Sequence, residues 1–381
     1  MRSILSAVLY LGLLISFAGC SDPSDSQSSS GPAVAPETRQ NGRTSDPAVA
    51  SLINAQSTGF CAQTKSLQQA VTAFLDNPSP ETLNMARDQW RQAHSQLAQL
   101  ATAYQLTGIT MPQIHDDRDP VDAHPMLPGY LDQVPGYPQS GLVYSEVPMT
   151  PAFLRGEHQS TDFYYLTLGF HPLETMLWGT AAKTDKQRAA LYRPSTKPAD
   201  DQVDARSRRV DLLRLIAHAL TQDATELCSV QQMQITSMAL TDLESAPEKL
   251  SRSVVVTLKN LVRDPLEAWQ KHPDGEDRNG MPISHSPLAH TDFAEIKTQL
   301  ASLTDQWLPL LLPTPRPEWA NALEPALKQA AAPLTKPDKG SEPPSAQTIS
   351  EILDRLNQIQ ARLSPSPGSD ARSNSVEQKT Q

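Results

Sequence analysis

The chain has 381 residues and a formal net charge of −10. It carries no basic stripe or Lys/Arg-rich block, so its electrostatics exclude nucleic acid as a partner. Its 33 prolines and 16 glycines, beside 38% hydrophobic residues, fit a globular core bordered by polar, irregular stretches.

The first residues read as an address. Arg2 is followed by an apolar run from Ile4 to Phe17, too short to span a bilayer and suited to a signal-peptide core. The run ends Phe17-Ala18-Gly19-Cys20, small residues before a cysteine, which resembles a bacterial lipobox with Phe17 where Leu is usual. The expectation is a lipoprotein signal peptide over 1–19, lipidation of Cys20, and a protein anchored to a membrane through lipid. Ser21, not Asp, follows Cys20; by the bacterial sorting rule this points to the outer membrane, facing the periplasm. An ordinary secretory leader with a soluble product is the alternative. Residues 20–45 are Ser, Asp, Pro, Gly and Gln with almost no large apolar side chain, a composition that predicts a flexible tether.

The body reads as helices. Val49, Leu52, Ile53, Phe60, Leu67, Val71 and Phe74 recur at three and four. Ser79-Pro80-Glu81 then supplies an N-cap, a first-turn proline and an early acid. Leu83, Ala86, Trp90, Ala93, Leu97, Leu100 and Tyr104 follow at near-heptad spacing, one stripe of an antiparallel bundle. Residues 107–150 break the period and carry His115, Asp116, Asp117, Asp119, Asp122 and His124. A long irregular loop rich in donor atoms is either a ligand-binding segment, with His115 and His124 as candidates, or a solvated surface.

Helical pattern resumes around Thr161 and leads into Gly169-Phe170-His171-Pro172-Leu173-Glu174-Thr175-Met176-Leu177-Trp178-Gly179. Residues three apart share a helical face, so His171 and Glu174 are candidate ligands of one metal ion. Pro172 suggests that His171 is the N-cap and Glu174 the third helical residue, with carboxylate and neutral imidazole favoured at the helix start. The alternative is a pair that hydrogen-bonds internally and locks a domain junction. Neither His-Glu-x-x-His nor His-x-x-Glu-His occurs, so the familiar helical zinc-peptidase pattern is missing.

A polar connector follows, and a second helical block opens near Asp204 with Val210, Leu213, Leu215, Ile216 and Leu220 on one face. Further helices are expected near 245–271, 291–308 and 317–331. The Pro/Gly-rich link at 272–290 carries His272, His285 and His290, and His285 is a further candidate ligand from a loop. Ile349, Ile352, Leu356, Ile359 and Leu363 form a short seam that either docks on the body or pairs with a partner. Long alternating β-branched runs are absent. The fold expected is all-α, two helical bundles side by side with flexible termini. A first bundle would occupy 46–200, a second 201–332, and a Pro-rich linker, short amphipathic helix and tail 333–381. With Cys20 lipidated, Cys61 and Cys228 remain; in an oxidising envelope they form one disulfide or stay as two buried thiols.

The eleven-residue string around His171 resembles the signature of the imelysin family, bacterial envelope proteins with Gly-x-His-x-x-Glu, an apolar run and Trp-Gly. The resemblance covers about 47–331. Ala86-Arg87-Asp88-Gln89-Trp90 is similar to an early Ala-Arg-x-x-Trp helix. Tyr130-Leu131-Asp132 and Thr150-Pro151-x-x-Leu154 are similar to the family's connector, and Arg208, Arg209, Ser284-x-Ser286 and Asp292 echo later positions. The resemblance implies two helical bundles with a site where they meet, and a role in iron uptake or other metal handling. It adds Arg87 and Trp90 to the ligand-binding candidates. Metal-binding relatives carry acidic ligands on the helix before the site; here the corresponding turn, 97–104, has none.

The expected function is therefore a lipid-anchored envelope protein that binds or presents a metal ion or chelated metal. Iron is favoured, with zinc or copper as alternatives, and an envelope protein is a candidate partner. A metallopeptidase using the same His/Glu pair and a non-catalytic interaction scaffold are the competing readings.

Overall fold

The structure is a computed structural model, and it describes residues 45–111, 118–133, 136–137, 139–179, 184–193, 203–335 and 344–363. The expected leader, Cys20, the tether, His115 and the C-terminal tail lie outside the described residues. No helix among the described residues is long and apolar enough to cross a membrane. The all-α expectation holds: thirteen α-helices form among the described residues and no sheet does.

The first two helices set the frame. Helix α1 (Pro47–Asp76) starts where the Asp46 carboxylate accepts from the Ala48 and Val49 amides and Pro47 fills the first turn. Helix α2 (Pro80–Thr107) starts on a Ser79/Thr82 capping box and ends at Gly108, which sits at φ 67°. Three residues link them, so they pack antiparallel and bury the predicted stripes on each other. Phe60, Phe74, Leu83 and Trp90 are fully buried there, and each such side chain contributes roughly 2–3 kcal/mol.

After α2 the chain runs irregularly to α3 (Pro151–Glu157), then to α4 (Phe170–Trp178) and α5 (Asp185–Ala190). Helix α6 (Ala205–Leu227) packs on α1, and α7 (Val230–Glu244) lies against both α1 and α2. A disulfide joins Cys61 on α1 to Cys228 at the end of α6, with Cα atoms 6.5 Å apart. Helices α8 (Pro247–Leu258) and α9 (Asp264–Lys271) are joined by a π-helical turn over Lys259–Arg263. Helices α10 (Asp292–Ala301) and α11 (Leu308–Leu311) are joined by another over Ser302–Trp307. Helix α12 (Glu318–Ala331) carries α13 (Ala346–Leu363), whose Ile349, Ile352, Leu356, Ile359 and Leu363 are all buried against the body. The described residues all fall within one compact unit.

Two linked expectations fail at the entry to α4: a helix from about Thr161, and His171 as its N-cap. Residues 161–169 are not helical, because the chain must pass tightly beside the 118–133 loop. Gly169 makes that passage at φ 98°, and a Cβ there would stand 2.6 Å from the Val121 carbonyl oxygen. Helix α4 therefore begins at Phe170 with Gly169, not His171, as its cap. His171 and Pro172 occupy its first turn, where a missing backbone N–H costs nothing. Helix α7 has no clean apolar stripe: it buries Thr236, Ser237 and Leu240 while Val230, Ile235 and Met238 stay exposed, which hides its period in the sequence.

Candidate metal centre

Four segments distant in sequence converge on one point. His94 projects from the middle of α2, Asp122 from the loop after it, His171 from the first turn of α4, and His285 from the loop between α9 and α10. Ligand atoms of these four residues lie within 4.8 Å of one another. The Asp122 carboxylate is the common point. Its Oδ1 lies 2.9 Å from His94 Nε2 and 3.4 Å from His171 Nε2, and its Oδ2 lies 3.4 Å from His285 Nε2.

Each imidazole is held from behind by a glutamate. Glu295 on α10 receives His94 Nδ1 at 2.8 Å and His285 Nδ1 at 2.9 Å. Glu174 receives His171 Nδ1 at 3.1 Å. A carboxylate behind Nδ1 fixes the proton there and leaves Nε2 to face the centre, the arrangement that orients histidines toward a metal. The Nε2 atoms of His171 and His285 are buried and make no hydrogen bond. Buried polar atoms are nearly always paired, so two such atoms aimed at one carboxylate call for a ligand.

The glutamates are themselves fixed. Glu174 is 1% exposed, and its Oε1 accepts from the Leu288 and Ala289 amides at 2.8 and 2.6 Å. It thereby ties α4 to the loop that carries His285. Glu295 also accepts from Ser286 Oγ at 3.1 Å and from Thr291 Oγ1. Asp292 accepts from the Ser286 amide at 2.9 Å, which shapes the same loop. On the opposite side, Asp119 Oδ1 accepts from the Val121 and Asp122 amides at 2.8 and 3.0 Å and sets the Asp122 backbone. His158 backs this loop: its Nε2 donates to the Asp119 carbonyl at 2.8 Å.

The electrostatics follow from crowding opposite charges in a buried site. Burial opposes a proton on His94, but the Glu295 and Asp122 carboxylates outweigh it and lift its pKa to about 9. His285 is raised well above the usual histidine value: burial opposes this, and Asp122 and Glu295 overcome it. Burial pushes Asp122 and Glu295 upward, yet the facing histidines hold both well below the usual carboxylate range. Protons on His94 and His285 thereby balance the Asp122 and Glu295 carboxylates.

The sequence candidates distribute as follows. His171 is in the cluster, while Glu174 lies outside it with both oxygens engaged. His124 sits at the rim, its ring 4.1 Å from that of His285 and 5.8 Å from that of His171. The residue is exposed, yet the protein packed around the ring, then the neighbouring His285 and His171, push its pKa down to about 3. Trp90 packs its ring 4.6 Å from that of His94, and its Nε1 donates to the Phe170 carbonyl at 2.9 Å. Arg87 is at the far end of α4, donating to the Leu177 carbonyl at 3.0 Å and pairing with Asp185 at 2.7 Å. Both residues position α4 from its two ends. Sequence reasoning missed His94, although it lies one helical turn after Trp90 on the face that meets α4. It noted Asp122 only within a donor-rich loop and did not single out Glu295.

Comparison with known proteins gives the same frame. The sequence profile of the imelysin family matches residues 56–378. No curated protein matches the chain. A crystal structure from Parabacteroides distasonis ATCC 8503, assigned as an iron-regulated protein A precursor, superposes with a TM-score of 0.51 at 14% identity. The match covers 83% of this chain and 91% of that one. An imelysin-like protein from Psychrobacter arcticum 273-4 gives a TM-score of 0.42 at 16% identity, over 84% of this chain and 95% of that one.

Proposed function

The chain belongs to the imelysin family, and from that membership and its four converging side chains we propose that it is a lipid-anchored envelope protein that binds a metal ion, iron in preference, for uptake. His94, Asp122, His171 and His285 are the ligands. Glu174 and Glu295 hold the imidazoles in register. The observation that carries this reading is the pair of buried Nε2 atoms on His171 and His285 that make no hydrogen bond, each 3.4 Å from a carboxylate that a third imidazole already touches.

The donor set agrees with a transition metal. Three imidazole nitrogens and one carboxylate suit Fe, Zn, Cu or Co far better than Ca or Mg, which prefer oxygen alone. Iron is favoured by the family and by the iron-regulated assignment of the Parabacteroides protein. Zinc and copper are the competing ions. The donors also come from both sides of residue 200, which supports the reading of two bundles with a site between them.

The peptidase reading has less support. A metallopeptidase needs a free general base beside the metal-bound water. Glu174 and Glu295 are the obvious carboxylates for that role, and each is already spent on an imidazole and on other donors.

The test is calorimetric titration of ferrous, ferric, zinc and cupric ions into the wild type and His171→Ala/His285→Ala. One ion per chain, lost in the double variant, is expected. Equal binding by both proteins would remove these residues from any metal site.

A further inference from the structure

An open cleft of about 440 Å³ leads to the cluster, with Asp122, His124 and His285 at its inner end. A second cleft, of about 460 Å³, shares Ala101, Gln105, Met111, Asp119 and Asn260 with the first, so the two form one continuous depression. Asp119, Asp122, Asp264, Asp292 and Glu295 line the first cleft, and no Lys or Arg among the described residues lines either. Lys259, outside both linings, pairs with the lining residue Asp264 at 2.7 Å.

The inner end is a cation acceptor by its atoms as well as its charge. His124 Nδ1 lies 3.0 Å from the Asp122 carbonyl oxygen, which can only accept. Nδ1 therefore carries the proton, and Nε2 presents a lone pair. Asp122 and His285 line the same end of the cleft, and past Asp122 lies His171, a residue only 2% exposed whose Nε2 makes no hydrogen bond and stands 3.4 Å from Asp122 Oδ1. A cleft lined by one sign of charge with low-dielectric walls concentrates ions of the opposite sign and repels its own. A multiply charged anion entering it would lose hydration and face the Asp119, Asp122, Asp264, Asp292 and Glu295 carboxyl groups, with no Lys or Arg among the described residues of the lining and only the carboxylate-paired His285 imidazole as a cation at the inner end.

We infer that this depression admits the metal as a hydrated cation and refuses metal carried on an anionic chelate such as citrate. The inference rests on the metal-binding reading above and fixes the form in which the ion arrives. Asn260, on the π-helical turn, lines both clefts and is no part of the cluster. Its Nδ2 donates to Gln105 Oε1 at 2.9 Å. A lysine at this position would place a positive charge in the path without touching a ligand.

The experiment uses the full-length protein and stopped-flow association of Co²⁺ at low and high ionic strength. Asn260→Lys, Asn260→Gln and His171→Ala run alongside. A parallel titration with ferric citrate uses radiolabelled citrate. The inference expects association that slows as salt rises and slows several-fold in Asn260→Lys at low salt. Asn260→Gln, which lengthens the same side chain without adding charge, should match the wild type. Iron from ferric citrate should be captured without retained label. Retained citrate, or an Asn260→Lys rate equal to the wild type, overturns the inference while loss of binding in His171→Ala leaves the metal site standing. If His171→Ala binds Co²⁺ as the wild type does, the metal-binding reading fails and the inference fails with it.

Discussion

At the scale of residues, the centre depends on side chains that orient ligands as much as on the ligands. Glu174→Gln keeps the volume but weakens the hold on His171 Nδ1. Metal affinity should fall about 10–100-fold, as is usual when a carboxylate behind a metal-bound imidazole is lost. Calorimetry measures this, and an unchanged affinity would make Glu174 a purely structural tie. His94 and His285, both raised, set the pH dependence, and His94 gives its window. The His94 pKa is raised from 6.5 to about 9 in the metal-free fold. A raised histidine contributes stability that is fully present below the unfolded value and is lost as pH rises through about 9. A metal ion must displace the same proton. Affinity should therefore strengthen as pH rises from the ordinary histidine value to about 9, and metal-free stability should fall across the same span. Titrations and unfolding curves over that window check both signs. His171 and Glu174 were legible in the sequence because they are three residues apart on one short helix. His94, Asp122 and His285 were not, because no local spacing relates them; only the packing of α2, α4 and two loops brings them together.

At the scale of elements, α4 is the part that must be placed accurately. Its C-terminal carbonyls are capped by arginines: Arg87 donates to Leu177, and Arg188 donates to Thr175 at 3.0 Å and to Met176 at 3.2 Å. Cations at a helix C-terminus oppose its dipole and satisfy its unpaired carbonyls. Arg188 and Arg209 also share the buried Asp132 carboxylate, at 3.1 and 2.5 Å. Arg188→Met leaves that carboxylate half-compensated and should lower unfolding free energy by about 3 kcal/mol in denaturant titration. A change under about 0.5 kcal/mol would show that the network is not holding α4. The Cys61–Cys228 bridge spans 167 residues and fastens the end of α6 to α1. Cys61→Ala/Cys228→Ala should cost about 2–5 kcal/mol of stability without changing metal stoichiometry, because neither cysteine approaches the cluster. The long helices α1, α2 and α6 were legible from their periods and caps. The start of α4 was misplaced because the residues before it are apolar at helical spacing, yet Gly169 must take a left-handed turn past Val121.

At the scale of the molecule, one ion would pin α2, the 118–133 loop, α4 and the 272–291 loop together. Ligand that binds only the folded state stabilises it by mass action, about 2.7 kcal/mol at a hundredfold excess over Kd. Adding a saturating ion should raise the melting temperature, and a chelator should return it to the metal-free value. A melting temperature indifferent to both would separate the cluster from the fold's stability. The all-α class, the helix-rich core and the family were legible from the sequence. The centre's composition belongs to this larger scale, since His285 joins His94, Asp122 and His171 only when the chain segments before and after residue 200 close on each other.

The most direct test of the account is a titration of ferrous ion, in parallel with zinc, into the wild type and His94→Ala, with circular dichroism confirming that both are folded. His94 lies outside the Gly-x-His-x-x-Glu string, so only the four-residue centre predicts that it matters. The account predicts one ion per wild-type chain and a loss of binding in the folded His94→Ala protein. Absence of binding in the wild type, or undiminished binding in His94→Ala, would contradict it.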